Sequence, residues 1–579
     1  MMQRLTTSAI AGCALALILT ASVGFAQEPH HSKISIVHQG VGRLKGDLKA
    51  LVDLTNETEQ EQWANLKDYL DLLALGVDES RPLRVDVMTG IQPTAYVIWI
   101  PYVDGGLADL RDNLDSFGFV NRKDAQDPNL FKIQPPDQGW LRVIDGLKYV
   151  VLVFTTPADD ALLKQIVIKA GDPIPDVKYL LDTKASVGAQ LINSEATPEA
   201  QKKRHDAFAE LRANSMDAVQ KRPTETESEY ELRRSALAHQ LNELERLMVE
   251  AERVQAWIKL EREGGYAALQ FIATAIPETS LAKAVAGFNA QPDAFASVQK
   301  LPESALSVRI NHPIDEMRQT HVKEFLDLLN TDIHSRVEAS EKLSRPQKDA
   351  TLSLFTGIAD LVRAGVATGY INAFLESKPD GNGQFISVGA VSLPDAKKLV
   401  EILPQLSTAH DGNTVELDID KVGEIAIHRV ALAEGYVELL DKLFGAKQEL
   451  FIGTAENHVW MASGTGALEL LKSTIEGLGE PAENPKALHA DIHLFPWVSR
   501  LKEIADKEPE PENPEERQQW RDNLLRLKQA VDAMPENDEW TFDMSVADNT
   551  VSGSMTFSTG ILRFVGKQIS EFSKENLSE

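Results

Sequence analysis

Four times along this chain one order of patterns returns: a short alternating strand, a long helical stretch, a tight hairpin of two strands, and usually a further helix. The first copy has Ile34 to Val37, a helix over Leu44 to Leu73, strands at Leu83 to Met88 and Thr94 to Ile100 about a turn at Ile91-Gln92, then Pro101 and a helical pattern from Gly106 to Leu114. The second has Val187 to Leu191, about sixty helical residues, Val254 to Leu260, the Glu263-Gly264-Gly265 turn, Tyr266 to Ala273, and a helix opened by Pro277-Glu278-Thr279. The third has Leu306 to Ile310, Ala367 to Leu375, a turn over Pro379 to Gly383, Gln384 to Val391 and a helix start at Pro394-Asp395. The fourth has Leu488 to Leu494, Trp540 to Val546, an Asp548-Asn549 turn and Val551 to Phe557. Gly, Asn and Asp supply the positive φ that tight hairpins need, and Pro fits the first helical turn because its missing N–H has no partner there.

In the second copy Leu237, Leu241, Leu244, Met248 and Ala251 recur at spacings of four and three, the narrow apolar seam of a helical hairpin, with a bend at Arg222-Pro223-Thr224. Matching bends fall at Ser344-Arg345-Pro346 and over Glu508 to Pro514. Between the first two copies lies a strand-rich insert with Leu130 to Ile133, Gly139 to Ile144 and Tyr149 to Phe154. Between the last two lies another, with Thr414 to Ile419, Glu424 to Val430, Leu450 to Thr454 and His458 to Ala462. The expected fold class is α+β: two tandem similar lobes, each an antiparallel sheet covered by helices on one face, with long helical hairpins. Tandem duplication of about 275 residues divides the chain into a lobe at 27–296, with a helical hairpin at about 197–252, and a lobe at 297–579, with helical segments at about 313–363 and 496–534.

Residues 1–26 read as a signal peptide: Arg4 precedes an apolar run from Ala9 to Val23, and small residues flank a cleavage point before Gln27. The sole cysteine, Cys13, lies in Ile10-Ala11-Gly12-Cys13, which imitates a lipid-bearing cysteine, but the apolar run follows it, so removal is expected rather than lipidation. The remaining 553 residues hold no cysteine, which suits a bacterial envelope better than a eukaryotic secretory route. No later apolar stretch reaches the length needed to span a bilayer, so the mature protein is expected to be soluble. With 87 acids against 59 bases, the chain carries −28 at pH 7, and −29 once Arg4 is removed, so it would repel nucleic acid and anionic lipid. This combination of signal peptide, cysteine-free acidic body and repeated strand–hairpin–helix units resembles uncharacterised exported proteins of planctomycete-type bacteria. The resemblance implies an exported protein and brings no activity, cofactor or site residue with it.

The metal candidate is the run from His489 to Leu494, in which His489, Asp491 and His493 share one side of a strand. Neighbours on that side are about 6.6 Å apart and the outer two about 13 Å apart, so two can meet one ion and a complete site needs ligands from elsewhere. His30, His31 and His38 stand near the expected new terminus as a solvated tail. Asp418-Ile419-Asp420 begins like a calcium loop but has Val422 and Arg429 at later ligand positions, and alternation with Val415 and Leu417 reads as a solvent-facing strand. Gly464-Thr465-Gly466 is a strand-to-helix turn with no Walker lysine after it, matched by a Thr156-Pro157 cap in the first insert. Neither G-x-S-x-G nor H-E-x-x-H occurs, and Trp99, Trp257, Trp460 and Trp540 fall in strands, where tryptophan packs into cores more often than it stacks on sugars.

The function expected is therefore an exported, non-enzymatic binding or scaffold protein of the cell envelope. It needs no cofactor, and its partner is a protein or envelope polymer. An alternative is an envelope-polymer or polysaccharide hydrolase working through carboxylates or a metal at His489, Asp491 and His493; a second is an apolar-ligand or lipid carrier.

Overall fold

The structure, a computed structural model, describes residues 33–577 other than 89–94, 117–118, 135–138, 156–158, 194, 224, 289, 434–441, 445–448 and 479–485. The signal peptide, Cys13, His30, His31, the Ile91-Gln92 turn and the Thr156-Pro157 cap thus lie outside the described residues. The chain runs β1 (Lys33–His38), α1 (Val41–Val52), α2 (Glu57–Leu73), β2 (Leu83–Met88), β3 (Ala95–Pro101) and α3 (Leu107–Ser116). The first insert is β4 (Val120–Lys123), β5 (Leu130–Gln134), β6 (Gly139–Ile144), β7 (Tyr149–Thr155), α4 (Asp160–Lys169) and α5 (Lys178–Asp182). Next come β8 (Val187–Ile192), α6 (Pro198–Asp217), α7 (Glu227–Glu245), β9 (Ala251–Glu261), β10 (Tyr266–Ala275) and α8 (Ser280–Gly287).

The order then begins again with β11 (Leu306–Pro313), α9 (Glu316–Ala339), α10 (Arg345–Ala367), β12 (Tyr370–Pro379), β13 (Phe385–Ser392) and the short α11 (Leu399–Ile402) and α12 (Gln405–Ala409). The second insert is β14 (Thr414–Val422), β15 (Ile425–Ala431), β16 (Glu449–Thr454), β17 (His458–Ser463) and α13 (Ala467–Glu476). The last stretch is β18 (Leu488–His493), α14 (Leu494–Lys507), α15 (Pro514–Ala533), β19 (Glu539–Ala547), β20 (Thr550–Phe557) and α16 (Thr559–Leu577). This is an α+β protein built on antiparallel pairing.

Two compact units emerge. One holds the chain up to Ala218, Leu241–Ala282 and the chain from Leu562; the other holds Val219–Gln240 and Lys283–Ile561. The strands of the first pair in the order β4-β5-β6-β7-β3-β2-β1-β8-β9-β10. Those of the second pair as β14-β15-β16-β17-β13-β12-β11-β18-β19-β20, the same order shifted by ten. The units are not two contiguous stretches. In the first, α16 lies on α1 and α2: Arg563 Nε donates to Leu54 O at 3.1 Å and the Leu66 amide to Ser573 Oγ at 3.2 Å. In the second, residues 227–240 of α7 lie on α9, where Ser228 Oγ donates to Asp332 Oδ1 at 2.5 Å and Arg336 pairs with both Asp332 and Glu229.

Helix starts follow local chemistry. Asn56 and Glu59 exchange side-chain bonds with each other's amides, a capping box that divides the predicted Leu44–Leu73 helix into α1 and α2. Asp159 caps α4, its Oδ1 accepting from the Leu162 amide at 3.0 Å.

Cores lie on both faces of each insert's sheet. In the first unit Leu141, Val150 and Leu152 pack with Leu110 of α3, while Trp140, Val151 and Val153 pack with Leu163 and Val167 of α4. In the second, Val388, Trp460 and Ala462 pack with Leu471 of α13, while Val430, Ile452 and Val459 meet Leu399 and Leu403. Continuous apolar runs such as Val150 to Val153 are what a doubly covered strand requires. Among the described residues one helix, α10, is long and apolar enough to cross a membrane by length and composition. It was not anticipated from the sequence; Lys348, Asp349, Asp360 and Arg363 interrupt its apolar residues. Ala350, Leu354, Ala359, Leu361 and Gly365 are its buried residues.

Candidate functional site

Leu488, Ala490 and Ile492 of β18 face one way, and His489, Asp491 and His493 the other. β18 lies between β11 and β19, and its register sets His489 beside Arg309 and Asp543, Asp491 beside Ser307 and Thr541, and His493 beside Glu539. The three candidates have separate fates. His489 Nδ1 contacts Asp543 Oδ1 at 2.7 Å, and Lys486 also pairs with that carboxylate. Burial would raise the Asp543 pKa, but the hydrogen bonds from Lys486 and His489 hold it below the usual carboxylate range. Asp491, only 6% exposed, pairs with Lys300 through Oδ2. His493 Nδ1 lies 3.0 Å from Asp538 Oδ1, while its Nε2 is 3.9 Å from Asp491 Oδ1. Ligand atoms of Asp491, His493 and Glu539 lie within 4.8 Å of one another, so Glu539 and not His489 completes the group.

The same sheet face carries a buried polar rung unforeseen in the sequence. Across four neighbouring strands Glu376, Ser307, Asp491 and Thr541 stand opposite one another. Glu376 is fully buried and accepts from Ser307 Oγ at 2.7 Å, Ser304 Oγ at 2.9 Å and Arg309 at 3.1 Å. The corresponding strands of the first unit present Asp86, Ser35, Gln190 and Gln255 in register. There Arg84, 3% exposed, donates twice to Asp86 at 2.7 Å, reaches Asp176, and lies 4.9 Å from the Trp99 ring centre. Burial would raise the Asp176 pKa; hydrogen bonds from Arg84 and Lys33 bring it down to about 2. A buried charge must find a partner in the protein, and these do.

Other candidates resolve locally. His38 is no tail residue: it ends β1, its Nδ1 accepts from the Gly40 amide at 3.1 Å, and burial lowers its pKa. The alternation around Asp418 is broken by a bulge between Glu416 and Asp420, with Asp418 at φ 52°, and Asp420 pairs with Lys472. Gly464 and Gly466 serve the start of α13, with φ of 105° and 82°; a Cβ on Gly464 would stand 2.4 Å from Phe385 O. Trp99, Trp257 and Trp460 are buried, so none offers a sugar a face. A shallow depression is lined by Arg222, Glu225, Glu229, Leu232 and Arg233, all outside β18 and β19.

No protein-family model matches the chain, and no curated protein does. A crystal structure of TP0453, a Treponema exported protein, matches at 8% identity over 44% of this chain and 77% of that one, with a TM-score of 0.21. A likeness that slight carries no argument.

Proposed function

We propose that the protein is an exported, non-enzymatic binding or scaffold protein of the bacterial envelope, built on a tandemly duplicated α+β frame that offers two related surfaces to one extended partner. The observation that carries this reading is the recurrence of the ten-strand order with a polar rung at the same place in both units. An enzyme gathers its reactive groups in a concave site of one copy. Here the rung charges meet internal partners: Arg84 with Asp86, Arg309 with Glu376, and Lys300 with one oxygen of Asp491. They hold the frame rather than meet a substrate. Export rests on the signal-peptide pattern at residues 1–26, and with an acidic chain it favours a neutral or cationic envelope polymer or protein over an anionic one. Co-sedimentation of the mature protein with isolated envelope polymer tests the reading. Saturable retention that weakens as salt rises is expected; no retention at any salt concentration defeats it.

A second reading, metal-assisted hydrolysis of such a polymer, draws on the convergence of Asp491, His493 and Glu539. Turnover separates it from the first.

A further inference from the structure

We propose that Asp491, His493 and Glu539 form a binding site for a divalent transition cation of the zinc class, placed between the end of β18 and the start of β19. Strand geometry assembles it. Asp491 and His493 are successive residues on one face of β18, and Glu539 is the cross-strand partner of His493. Their ligand atoms already lie within 4.8 Å of one another, where tetrahedral zinc asks for about 3.3 Å, a closure within reach of the exposed Glu539 side chain.

The buried atom at the centre of the group is what points to a ligand. Asp491 Oδ1 is buried and accepts no hydrogen bond, although its side chain is 9% exposed and Oδ2 is taken by Lys300. Such an oxygen costs free energy unless something positive meets it. The group it faces at 3.9 Å is His493 Nε2. Asp538 accepts at His493 Nδ1, so in the neutral ring the proton sits on Nδ1 and Nε2 presents a lone pair. Asp538 is itself fixed, because its Oδ2 accepts from the Phe495 amide at 2.6 Å at the start of α14. This carboxylate–histidine arrangement is the outer support that metal-bound imidazoles have. Two acceptors, Asp491 Oδ1 and His493 Nε2, converge with a second carboxylate, Glu539, and a cation satisfies all three at once. Three carboxylates, Asp491, Glu539 and Asp538, outweigh the single ammonium of Lys300, which lies at the other oxygen of Asp491 and is 43% exposed. Nitrogen with carboxylate oxygen selects zinc-class ions over calcium or magnesium.

Among the described residues, the first unit has no such site. The positions corresponding to Asp491, His493 and Glu539 are Gln190, Ile192 and Arg253. The inference goes beyond the binding reading and does not rest on it, since a cation here is compatible with either proposed function.

The test is calorimetric titration of the chelator-treated mature protein with Zn²⁺, repeated with Co²⁺ while following its visible absorption. One equivalent binds, with a cobalt spectrum of a low-coordinate nitrogen–oxygen site. H493A and E539Q remove the saturable step, D538N weakens it by about 10–100-fold, and H489A leaves it unchanged. Glu539 is exposed, so E539Q keeps the test valid if H493A does not fold. Absence of a saturable equivalent, or one unchanged in E539Q and D538N, overturns the proposal.

Discussion

Asp86 and Glu376 occupy one position in two rungs, and each is buried with an arginine for company. Neither is legible as a buried acid in the sequence. Leu83 to Met88 alternates as a strand with a wet face does, and only the later segment bearing Pro173, Asp176 and Leu180 covers that face. Asp491 and His493 were readable as a pair because alternation alone sets them on one side. Glu539 was not, because a helical hairpin separates it in sequence and the pairing register is a tertiary fact. Replacing Asp86 by Asn leaves the buried Arg84 with Asp176 alone, so a loss of about 3 kcal/mol is expected, at the low end for breaking a buried pair. Denaturant unfolding measures the loss, and hydrogen exchange places it in the first unit; E376Q acts likewise in the second.

His428, like His38 and His458, has a pKa lowered by burial and contributes to the pH dependence. It is fully buried, with Nδ1 accepting from the Asp418 amide at 3.0 Å and Nε2 3.0 Å from Thr454 Oγ1. Burial lowers its pKa from the ordinary 6.5, outweighing the opposing pull of Asp418. The unfolded chain therefore binds the extra proton first. Its contribution to stability is complete above pH 6.5 and is lost as pH falls below that value through the folded pKa. Melting temperature should drop between pH 7.5 and 5.5, and H428Q should flatten that slope; an equal slope in both proteins contradicts the assignment.

At the scale of elements, strands with apolar alternation or apolar runs were legible, and β5 to β7 lie where the pattern put them. β4 was missed because Val120 to Lys123 carries one apolar residue and is a strand only through its pairing with β5. The split between α1 and α2 was written in the capping box at Asn56 and Glu59, a local signal that the long helical periodicity masked. The bulge in β14 has no such signature. α16 is legible as an amphipathic helix, but its place on α1 and α2 is not. Gly566 marks that place, since a Cβ there would stand 2.1 Å from Leu51 O. G566A should cost about 1–3 kcal/mol as overpacking does. Faster amide exchange in α16 and α1, with β18 and β19 unaffected, is the expected signature.

At the scale of the molecule, the β9–β10 and β19–β20 hairpins lie where turn chemistry put them, while the pairing order of the strands had to come from the structure. Hairpins are local and leave turn residues behind. The meeting of β1 with β8 and of β11 with β18 joins strands far apart in sequence, and nothing local encodes it. Both joins place a serine at the centre of a polar rung, and the proposed binding role rests on this frame. The most direct measurement of that claim is release of soluble fragments from isolated envelope polymer by the zinc-treated mature protein. No release above that of the polymer alone is expected while the protein stays bound. Fragments that accumulate with the wild-type chain and vanish with H493A would contradict it.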